Sequence, residues 1–515
     1  MRNIKIIYIN LALVLLALGS WLILFPYTMP YTTDSAAYIE AARYFRQGQG
    51  LLVTNYGLNP IEKDLYPLDV FPPAYPFLIY AFTWLGIDET QGAIAVQAVS
   101  FALLPLLFFL LSRRILPQSL AIVSAVLCTW NFPIVTASLR VWSDLPFLVF
   151  TLLSFEVLFQ AILKKRIFYI FLAGLLAGFA CLVRNVGYAL VFASLFGLIV
   201  AIISAQLPRN LWWKTGIAYM GGVVGIYGFW LLRNLAVFNS FQPYSMDPSE
   251  LTLIDNIKHY SSTLTTMFLG TFIGTSYLTK FFIPLLGILL VLWSIYIILQ
   301  AAKNRHWHLL KKEKIIFWLT LGIYGFSGSA LVIIARTKYK WGEYINDRHL
   351  LQYQWIIIIG FIAALYFFYR KQNRRFFTGV IATVFILTFL VGQVRNISLR
   401  LSYDSAVPKQ EFMLVESFVP LMKSIPQDAL IASNYPTLIR IASKRPVRKF
   451  YGDMTPEALR EKVMPYRDLY VILLPHELEK YPTWYEVYHA RKRLNGYSLV
   501  AKKNTIILLK GLKPN

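Results

Sequence analysis

The stretch QGAIAVQAVSFALLPLLFFLLSRR occupies residues 91–114 and decides the class of fold. Its first 22 residues are uncharged and mostly apolar, and two arginines follow them. A helix of about 20 apolar residues crosses the hydrocarbon core of a bilayer, which is about 30 Å thick. Lys and Arg gather at the cytoplasmic ends of such helices. The stretch therefore predicts a membrane span that ends in the cytoplasm.

The composition of the whole chain also indicates a membrane protein. Of its 515 residues, 57% are hydrophobic and 15% are charged, whereas a soluble domain has about 25% charged residues. The net charge of +24 is better explained by topology and anionic lipid than by nucleic acid, so no nucleic-acid partner is predicted. Both cysteines, Cys128 and Cys181, lie in apolar runs, which argues against a disulfide framework. No histidine or acidic cluster has metal-ligand spacing, so no metal is predicted.

Eleven spans are predicted if every basic cluster lies in the cytoplasm. Their approximate bounds are 5–26, 91–112, 118–136, 145–163, 167–183, 187–205, 215–233, 281–301, 315–335, 351–369 and 376–393. The first run is too long for the apolar region of a signal peptide and lacks a clear cleavage site. The apolar segment 72–86 is too short to cross and is predicted to lie as a helix in the outer interface. An odd number of spans places the N-terminus in the cytoplasm and the C-terminus outside.

The chain changes character at about residue 395. Beyond it, charge rises, and short apolar segments such as 429–433 and 469–474 alternate with helical patterns, as in a small α/β domain. We expect a transmembrane module over residues 1–394, whose outer loop 27–90 carries interfacial helices, and an extracytoplasmic α/β domain over 395–515. The predicted fold class is thus mainly α, a polytopic transmembrane helix bundle with a small α/β domain.

Two outer loops each place an aspartate at the start of a helix, Asp34 in the first loop and Asp144 in the second. Capping is the ordinary explanation, because an acidic side chain at a helix N-terminus accepts hydrogen bonds from unpaired backbone N–H groups and suits the helix dipole. A chemical role is the alternative. The chain is poor in acid, so two carboxylates at one face of the membrane suggest a joint function.

The outer side also carries cations that the positive-inside rule does not explain. They are Arg184, Arg233, Arg336, Lys338, Lys340 and Arg348. Local carboxylates such as Glu343 and Asp347 are one set of candidate partners. A phosphate is the other, because the planar guanidinium of arginine binds phosphate through two parallel hydrogen bonds.

A carboxylate and several cations at one membrane face suit the transfer of a sugar from a lipid phosphate. The leaving group is then a stabilised phosphate, so no general acid is needed, in contrast to the hydrolysis of a glycoside. The remaining tasks are to take a proton from the attacking acceptor and to stabilise the departing phosphate. Two alternatives stay open. One is a transporter or lipid flippase, whose ionisable groups usually lie nearer the bilayer midplane, and the other is a receptor or assembly protein without catalysis.

Short motifs at the predicted outer ends of the spans follow one another in a characteristic order. They are Thr33-Asp34-Ser35, Pro72-Pro73-Ala74-Tyr75-Pro76, Ser143-Asp144, Arg184-Asn185-Val186-Gly187, Trp230-Leu231-Leu232-Arg233-Asn234, Asp347-Arg348-His349-Leu350 and, near the C-terminus, Ala432-Ser433-Asn434-Tyr435-Pro436. Together they resemble the GT-C superfamily, and within it the bacterial branch related to protein O-mannosyltransferases and to the aminoarabinose transferase of lipid A. The chain lacks the His-x-x-Glu loop motif of some eukaryotic mannosyltransferases, which puts a protein acceptor in doubt.

This resemblance implies a glycosyltransferase of a bacterial plasma or inner membrane that uses a polyprenyl-phosphate sugar and inverts the anomeric centre. The site would lie between the membrane and the outer domain. Asp34 would be the catalytic base, and Asp144 would orient the acceptor or assist that base. The residues that would bind the donor phosphate are Arg184, Arg233 and Arg348, with Lys338 and Lys340 behind them. The acceptor would be an envelope glycan, a lipid or a protein, and no cofactor is expected.

Overall fold

The computed structural model describes most of the chain. The described residues are 2–55, 57–208, 210, 212–243, 247–269, 313–340, 344–369, 375–406, 408–450, 454–475, 478–490, 497–503 and 506–512. The chain forms two compact units. The first comprises Met1–Phe25, Asp69–Tyr75 and Gln97–Arg400, and the second comprises Pro26–Leu68, Pro76–Val96 and Leu401–Asn515.

Most of the described chain is helical. Its α-helices are α1 (Arg2–Leu24), α2 (Thr33–Arg46), α3 (Ala74–Thr83), α4 (Glu89–Ser112), α5 (Gln118–Thr129), α6 (Phe132–Ser138), α7 (Asp144–Lys164), α8 (Ile167–Val183), α9 (Tyr188–Ile203), α10 (Trp212–Phe238), α11 (Leu253–Leu269), α12 (Glu313–Lys338), α13 (Asp347–Tyr369), α14 (Arg375–Ala406), α15 (Pro408–Met422), α16 (Pro436–Ser443), α17 (Pro456–Val463) and α18 (Pro482–Ala490). The predicted class, mainly α, is confirmed for these residues.

Seven of the described helices are long and apolar enough to cross a membrane, and they cover seven of the predicted spans. Their bounds are Ile6–Tyr27, Glu89–Ser112, Asp144–Lys164, Asn185–Ile203, Trp212–Phe238, Glu313–Lys338 and Asp347–Phe367. Helices α5 and α6 are bent by 59° at the break between them and form an eighth candidate span if taken together. The chain is therefore a multi-pass membrane protein with seven or eight candidate spans among its described residues.

The other three of the eleven predicted spans have different outcomes. Helix α8 is apolar, but with 17 residues it is short for a span. The predicted span 376–393 lies within α14, a helix of 32 residues. The predicted span 281–301 lies outside the described residues. The segment 72–86 forms the ten-residue helix α3, which is too short to cross a bilayer.

Helices α8 and α10 approach closely because glycines face the opposite backbone. A Cβ atom at Gly174 in α8 would lie 2.1 Å from the carbonyl oxygen of Tyr219, and one at Gly222 in α10 would lie 2.4 Å from that of Phe171. Small residues at such contacts let membrane helices pack backbone to backbone. Arg184 follows α8 directly. The packing of α8 against α10 therefore fixes the position of the Arg184 backbone.

The second unit contains a mixed sheet, in the part of the chain that was predicted to form a small α/β domain. Its strands are β3 (Leu430–Ser433), β4 (Arg448–Lys449), β5 (Leu469–Leu473), β6 (Tyr497–Lys503) and β7 (Ile506–Gly511), in the order β4-β3-β5-β7-β6. Strand β3 runs parallel to β4 and β5, whereas β7 is antiparallel to β5 and β6. All residues of β3 and β5 are buried. The predicted strands at 429–433 and 469–474 are therefore confirmed.

The second unit also contains most of the first outer loop. Helix α2 and the antiparallel strands β1 (Leu52–Thr54) and β2 (Leu65–Pro67) belong to it. Leu58 of this loop lies in the same buried apolar core as Phe450 and Trp484 of the C-terminal part. Two distant segments of sequence thus share one core.

The glycine contact between α8 and α10 can be tested directly. We expect Gly174→Ala to lower the melting temperature of the solubilised full-length protein, because overpacking costs about 1–3 kcal/mol. Gly225 in α10 has no neighbouring atom within 4 Å of an added Cβ, so Gly225→Ala is a matched control that should melt near the wild-type temperature. Equal melting of both variants would contradict the close approach of these helices.

Candidate functional site

Asp144 is the centre of the charged cluster in the first unit. It is the first residue of α7 and is fully buried. Its Oδ1 lies 2.6 Å from Nη1 of Arg184, and its Oδ2 accepts a hydrogen bond of 2.9 Å from Nε of Arg348. A buried charge requires compensation of this kind. One carboxylate thus holds two arginines that are far apart in sequence.

The local backbone brings each of these arginines to Asp144. Arg184 is extended after α8 and precedes a 3-10 turn, Asn185–Gly187. A Cβ atom at Gly187 would lie 2.9 Å from backbone atoms of Cys181, so the turn requires glycine. Arg348 lies in the first turn of α13, and Gln352, one turn later, donates from Nε2 to the backbone carbonyl of Asp144 over 3.0 Å. The start of α7, the end of α8 and the start of α13 therefore meet at one point.

The loop before Asp144 is anchored on its other side by Gln97. The Nε2 group of Gln97 donates to the carbonyl oxygen of Trp142 and to the hydroxyl oxygen of Tyr75, both over 2.6 Å. The guanidinium of Arg348 lies over the ring of Trp142, 4.2 Å from its centroid, in a cation–π contact. The Pro-Pro-Ala-Tyr-Pro motif is thus connected through Gln97 to the loop that carries Asp144.

Arg336 adds a third arginine to this cluster. It lies in the last turn of α12, is 7% exposed and contacts Nε2 of His349. Arg184, Arg336 and Arg348 all lie within electrostatic reach of His349. Sequence reasoning noted Arg336 only as an unexplained outer cation. Its position directly after the predicted span 315–335, in the predicted outer loop, was the available signal, but the sequence did not show that its side chain is buried.

The cluster carries more positive than negative charge. Asp144 contributes one negative charge, which two arginines share. Asp347 opens the same helix as Arg348 and contributes another. Against these two carboxylates stand three guanidinium groups, which are permanently protonated. These five side chains together carry a net positive charge, which suits an anionic ligand.

The other predicted phosphate ligands lie in different surroundings. Arg233 donates to Oδ1 of Asn234 over 2.9 Å and lies over the ring of Trp230. Lys340 forms an exposed ion pair with Glu250, and Lys338 lies over the ring of Tyr339. Glu343, considered above as a counterion, lies outside the described residues. The structure brings Arg184 and Arg348 to Asp144 and gives these three cations other partners.

Asp69 is a residue near Arg233 that sequence reasoning did not single out. It lies in the loop before α3, and partial burial raises the pKa of its carboxyl group. A backbone hydrogen bond from Val70 and the charge of Arg233 oppose that shift. Its sequence context, Leu68-Asp69-Val70, gave no signal beyond that of an ordinary loop residue.

Asp34 belongs to the second unit, where it lies half-buried in the first turn of α2. The N-cap residue of that helix is Thr32, whose backbone N–H donates to Oγ of Ser35 over 2.8 Å. Likewise, Ser143 rather than Asp144 occupies the N-cap position of α7. Neither predicted catalytic aspartate is therefore the N-cap residue of its helix.

Comparison with known proteins matches part of the chain to a family. Residues 70–232, which include Asp144 and Arg184, match the family described as dolichyl-phosphate-mannose-protein mannosyltransferase. Among curated proteins, none matches the sequence. The family segment thus covers the predicted interfacial helix and the spans that follow it, up to Leu232.

Solved structures show the same fold over nearly the whole chain. The fold is similar to that of ArnT from Cupriavidus metallidurans bound to undecaprenyl phosphate, with a TM-score of 0.59 and 12% identity over 98% of this chain and 99% of that chain. It is also similar to the oligosaccharyltransferase AglB from Archaeoglobus fulgidus in complex with an inhibitory peptide and a dolichol-phosphate, with a TM-score of 0.54 and 12% identity over 90% of this chain and 69% of that chain. Residues 70–232 are thus similar to the mannosyltransferase family, and the fold of the chain is similar to the folds of ArnT and AglB.

Proposed function

We propose that this protein is a membrane glycosyltransferase that moves a sugar from a polyprenyl-phosphate donor to an acceptor on the outer side of a bacterial plasma or inner membrane. The observation that carries the proposal is the convergence of Arg184 and Arg348 on the buried Asp144. The solved structures of ArnT and AglB contain undecaprenyl phosphate and dolichol-phosphate. Both ligands are lipid phosphates, the chemical class that a cluster of arginines suits. The acceptor is an envelope glycan, a lipid or a protein.

The donor phosphate binds to Arg184 and Arg348, with Arg336 adding charge nearby. Each guanidinium has five N–H donors, which is a larger number than a single carboxylate can accept. The side chains of Arg184 and Arg348 are 23% and 14% exposed, so part of each reaches the surface of the first unit. As the bond between the anomeric carbon and the phosphate oxygen breaks, these groups stabilise the charge that develops on the leaving phosphate.

Asp144 acts by fixing the arginines. Because one of its oxygens faces Arg184 and the other faces Arg348, it is better suited to orient the guanidinium groups than to accept a proton. This role differs from the acceptor orientation expected from the family resemblance. It makes Asp144 a positioning residue for the donor phosphate.

Asp34 is the catalytic base of the proposed reaction. Its carboxylate takes the proton of the acceptor hydroxyl as the acceptor oxygen attacks the anomeric carbon. The bond to the phosphate breaks on the opposite face, the phosphate leaves with the bonding electrons, and the configuration inverts. The position of Asp34 in the Thr33-Asp34-Ser35 motif and its half-buried place in the first turn of α2 support this role.

Replacement of either arginine tests the phosphate site. We expect Arg348→Lys and Arg184→Lys to weaken the binding of undecaprenyl phosphate to the solubilised full-length protein by about ten- to a hundredfold, because hydrogen bonds to charged groups contribute about 1.5–3 kcal/mol. Lysine keeps a positive charge beside Asp144 but lacks the planar guanidinium that binds phosphate through two hydrogen bonds. Lys258→Met, at an exposed ion pair with Asp255, is the control. Wild-type affinity in both arginine variants would remove these residues from donor binding.

Replacement of Asp34 tests the chemistry separately. We expect Asp34→Asn to lower transfer by about 10²–10⁴-fold while the affinity for undecaprenyl phosphate stays unchanged. Transfer is measured by mass spectrometry of envelope glycans and glycolipids in a strain that lacks the protein and carries each variant. Asp255→Asn, at the first turn of α11, is the matched control and should restore the missing sugar. Normal transfer by Asp34→Asn would exclude Asp34 as the base.

A further inference from the structure

The helix that carries Asp34 is joined to the C-terminal part of the second unit by a buried ion pair. Glu40 lies in α2, later than Asp34, and Arg440 lies in α16. The two side chains are 1% and 0% exposed. Nε of Arg440 donates to Oε1 of Glu40 over 2.7 Å, and Nη2 donates to Oε2. The pair is bidentate, a geometry that fixes both the distance and the orientation of the two groups.

Glu40 also holds the strand that follows α2. The backbone N–H of Thr54 donates to Oε2 over 3.0 Å, and its hydroxyl donates to Oε1 over 2.9 Å. Each carboxylate oxygen therefore accepts two hydrogen bonds. Helix α2, strand β1 and helix α16 meet at this one group.

A second ion pair holds the C-terminal end of α2. Nη1 of Arg46 lies 3.0 Å from Oε1 of Glu89, and Nε of Arg43 lies 3.9 Å from Oε2 of the same residue. Arg43 and Glu89 are both buried. Ion pairs thus hold α2 at its middle and at its C-terminal end. Asp34 lies at its N-terminal end.

Stability alone does not explain why an ion pair occupies this buried position. Replacing a buried ion pair by apolar side chains of similar volume is often neutral or stabilising, because the desolvation of two charges is costly. The bidentate pair instead provides one defined orientation. Between residues 34 and 40, α2 is a rigid rod about 9 Å long, so it transmits that orientation to its first turn.

We infer that Glu40 and Arg440 are positioning residues for Asp34, and that residues 401–515 set the geometry of the catalytic base. The inference rests on the proposed function of Asp34. A displacement of about 1 Å in a catalytic group costs on the order of 10²-fold in rate. The C-terminal domain therefore contributes to catalysis through a contact with α2, whether or not it also binds an acceptor.

The test separates positioning from folding by means of a double variant. Glu40→Gln with Arg440→Met keeps an acceptor for Thr54 and replaces two buried charges by a neutral pair. We expect the melting temperature of the full-length protein to stay within a few degrees of the wild type, because buried ion pairs seldom add net stability. Activity is measured in membranes, with the lipid extract of the strain that lacks the transferase as the donor.

We expect kcat of the double variant to fall about 10- to 100-fold, with KM for the lipid extract and the affinity for undecaprenyl phosphate each changed less than threefold. Asp88→Asn is the matched control, since it removes an exposed ion pair with Lys444, the residue after α16, and leaves α2 unchanged. Its kcat should stay within twofold of the wild type.

The outcomes are distinct. If Asp34→Asn is inactive and the double variant has wild-type kcat, the inference fails and the proposed function stands. A kcat that falls only together with the melting temperature also overturns the inference, because the pair is then structural. If Asp34→Asn turns over normally, the proposed function itself fails.

Discussion

A charged side chain that is taken out of water needs a partner, and this constraint organises both units of the protein. In the first unit, the buried Asp144 holds Arg184 and Arg348. In the second unit, the buried Glu40 holds Arg440. In each case, removing one partner would leave an uncompensated charge, which costs about 3–5 kcal/mol. These ion pairs therefore fix which segments must meet, although buried ion pairs seldom add much net stability.

Close packing between apolar helices brings the charged groups within contact distance of one another. The glycine contacts of α8 and α10 place the start of the segment that carries Arg184, and the hydrogen bonds of Gln97 hold the loop before Asp144. The charged cluster draws on residues from α7, from the position directly after α8, and from α12 and α13, which are separated by up to about two hundred positions in the sequence. Its chemistry is thus a property of the helix bundle rather than of any one motif.

Much of this organisation could be predicted from sequence where the signal is local. Apolar runs predicted seven of the long helices, and apolar segments predicted β3 and β5, because hydropathy reflects the immediate environment of each residue. The motifs around Asp144, Arg184 and Arg348 marked three residues that the structure brings together. The pairing of Glu40 with Arg440 had no such signal, since an acidic residue in a helix is usually exposed and its partner lies 400 positions away. Arg336 was missed as a member of the cluster because the sequence does not show that its side chain is buried.

The division of the second unit between early and late segments has a consequence for synthesis. Glu40 and Arg440 are 400 residues apart, and at typical rates of about 5–20 residues per second a ribosome needs roughly 20–80 s to add the second after the first. During that interval, Glu40 can accept hydrogen bonds from Thr54 but lacks Arg440, and Leu58 lacks the apolar residues of the C-terminal part that share its core. The segment that contains Glu40 and Leu58 must therefore stay in contact with water or with a chaperone until the C-terminal strands have been synthesised. Chains that terminate early would lack the partner that orders α2, and so would be recognisable to quality control before they become active.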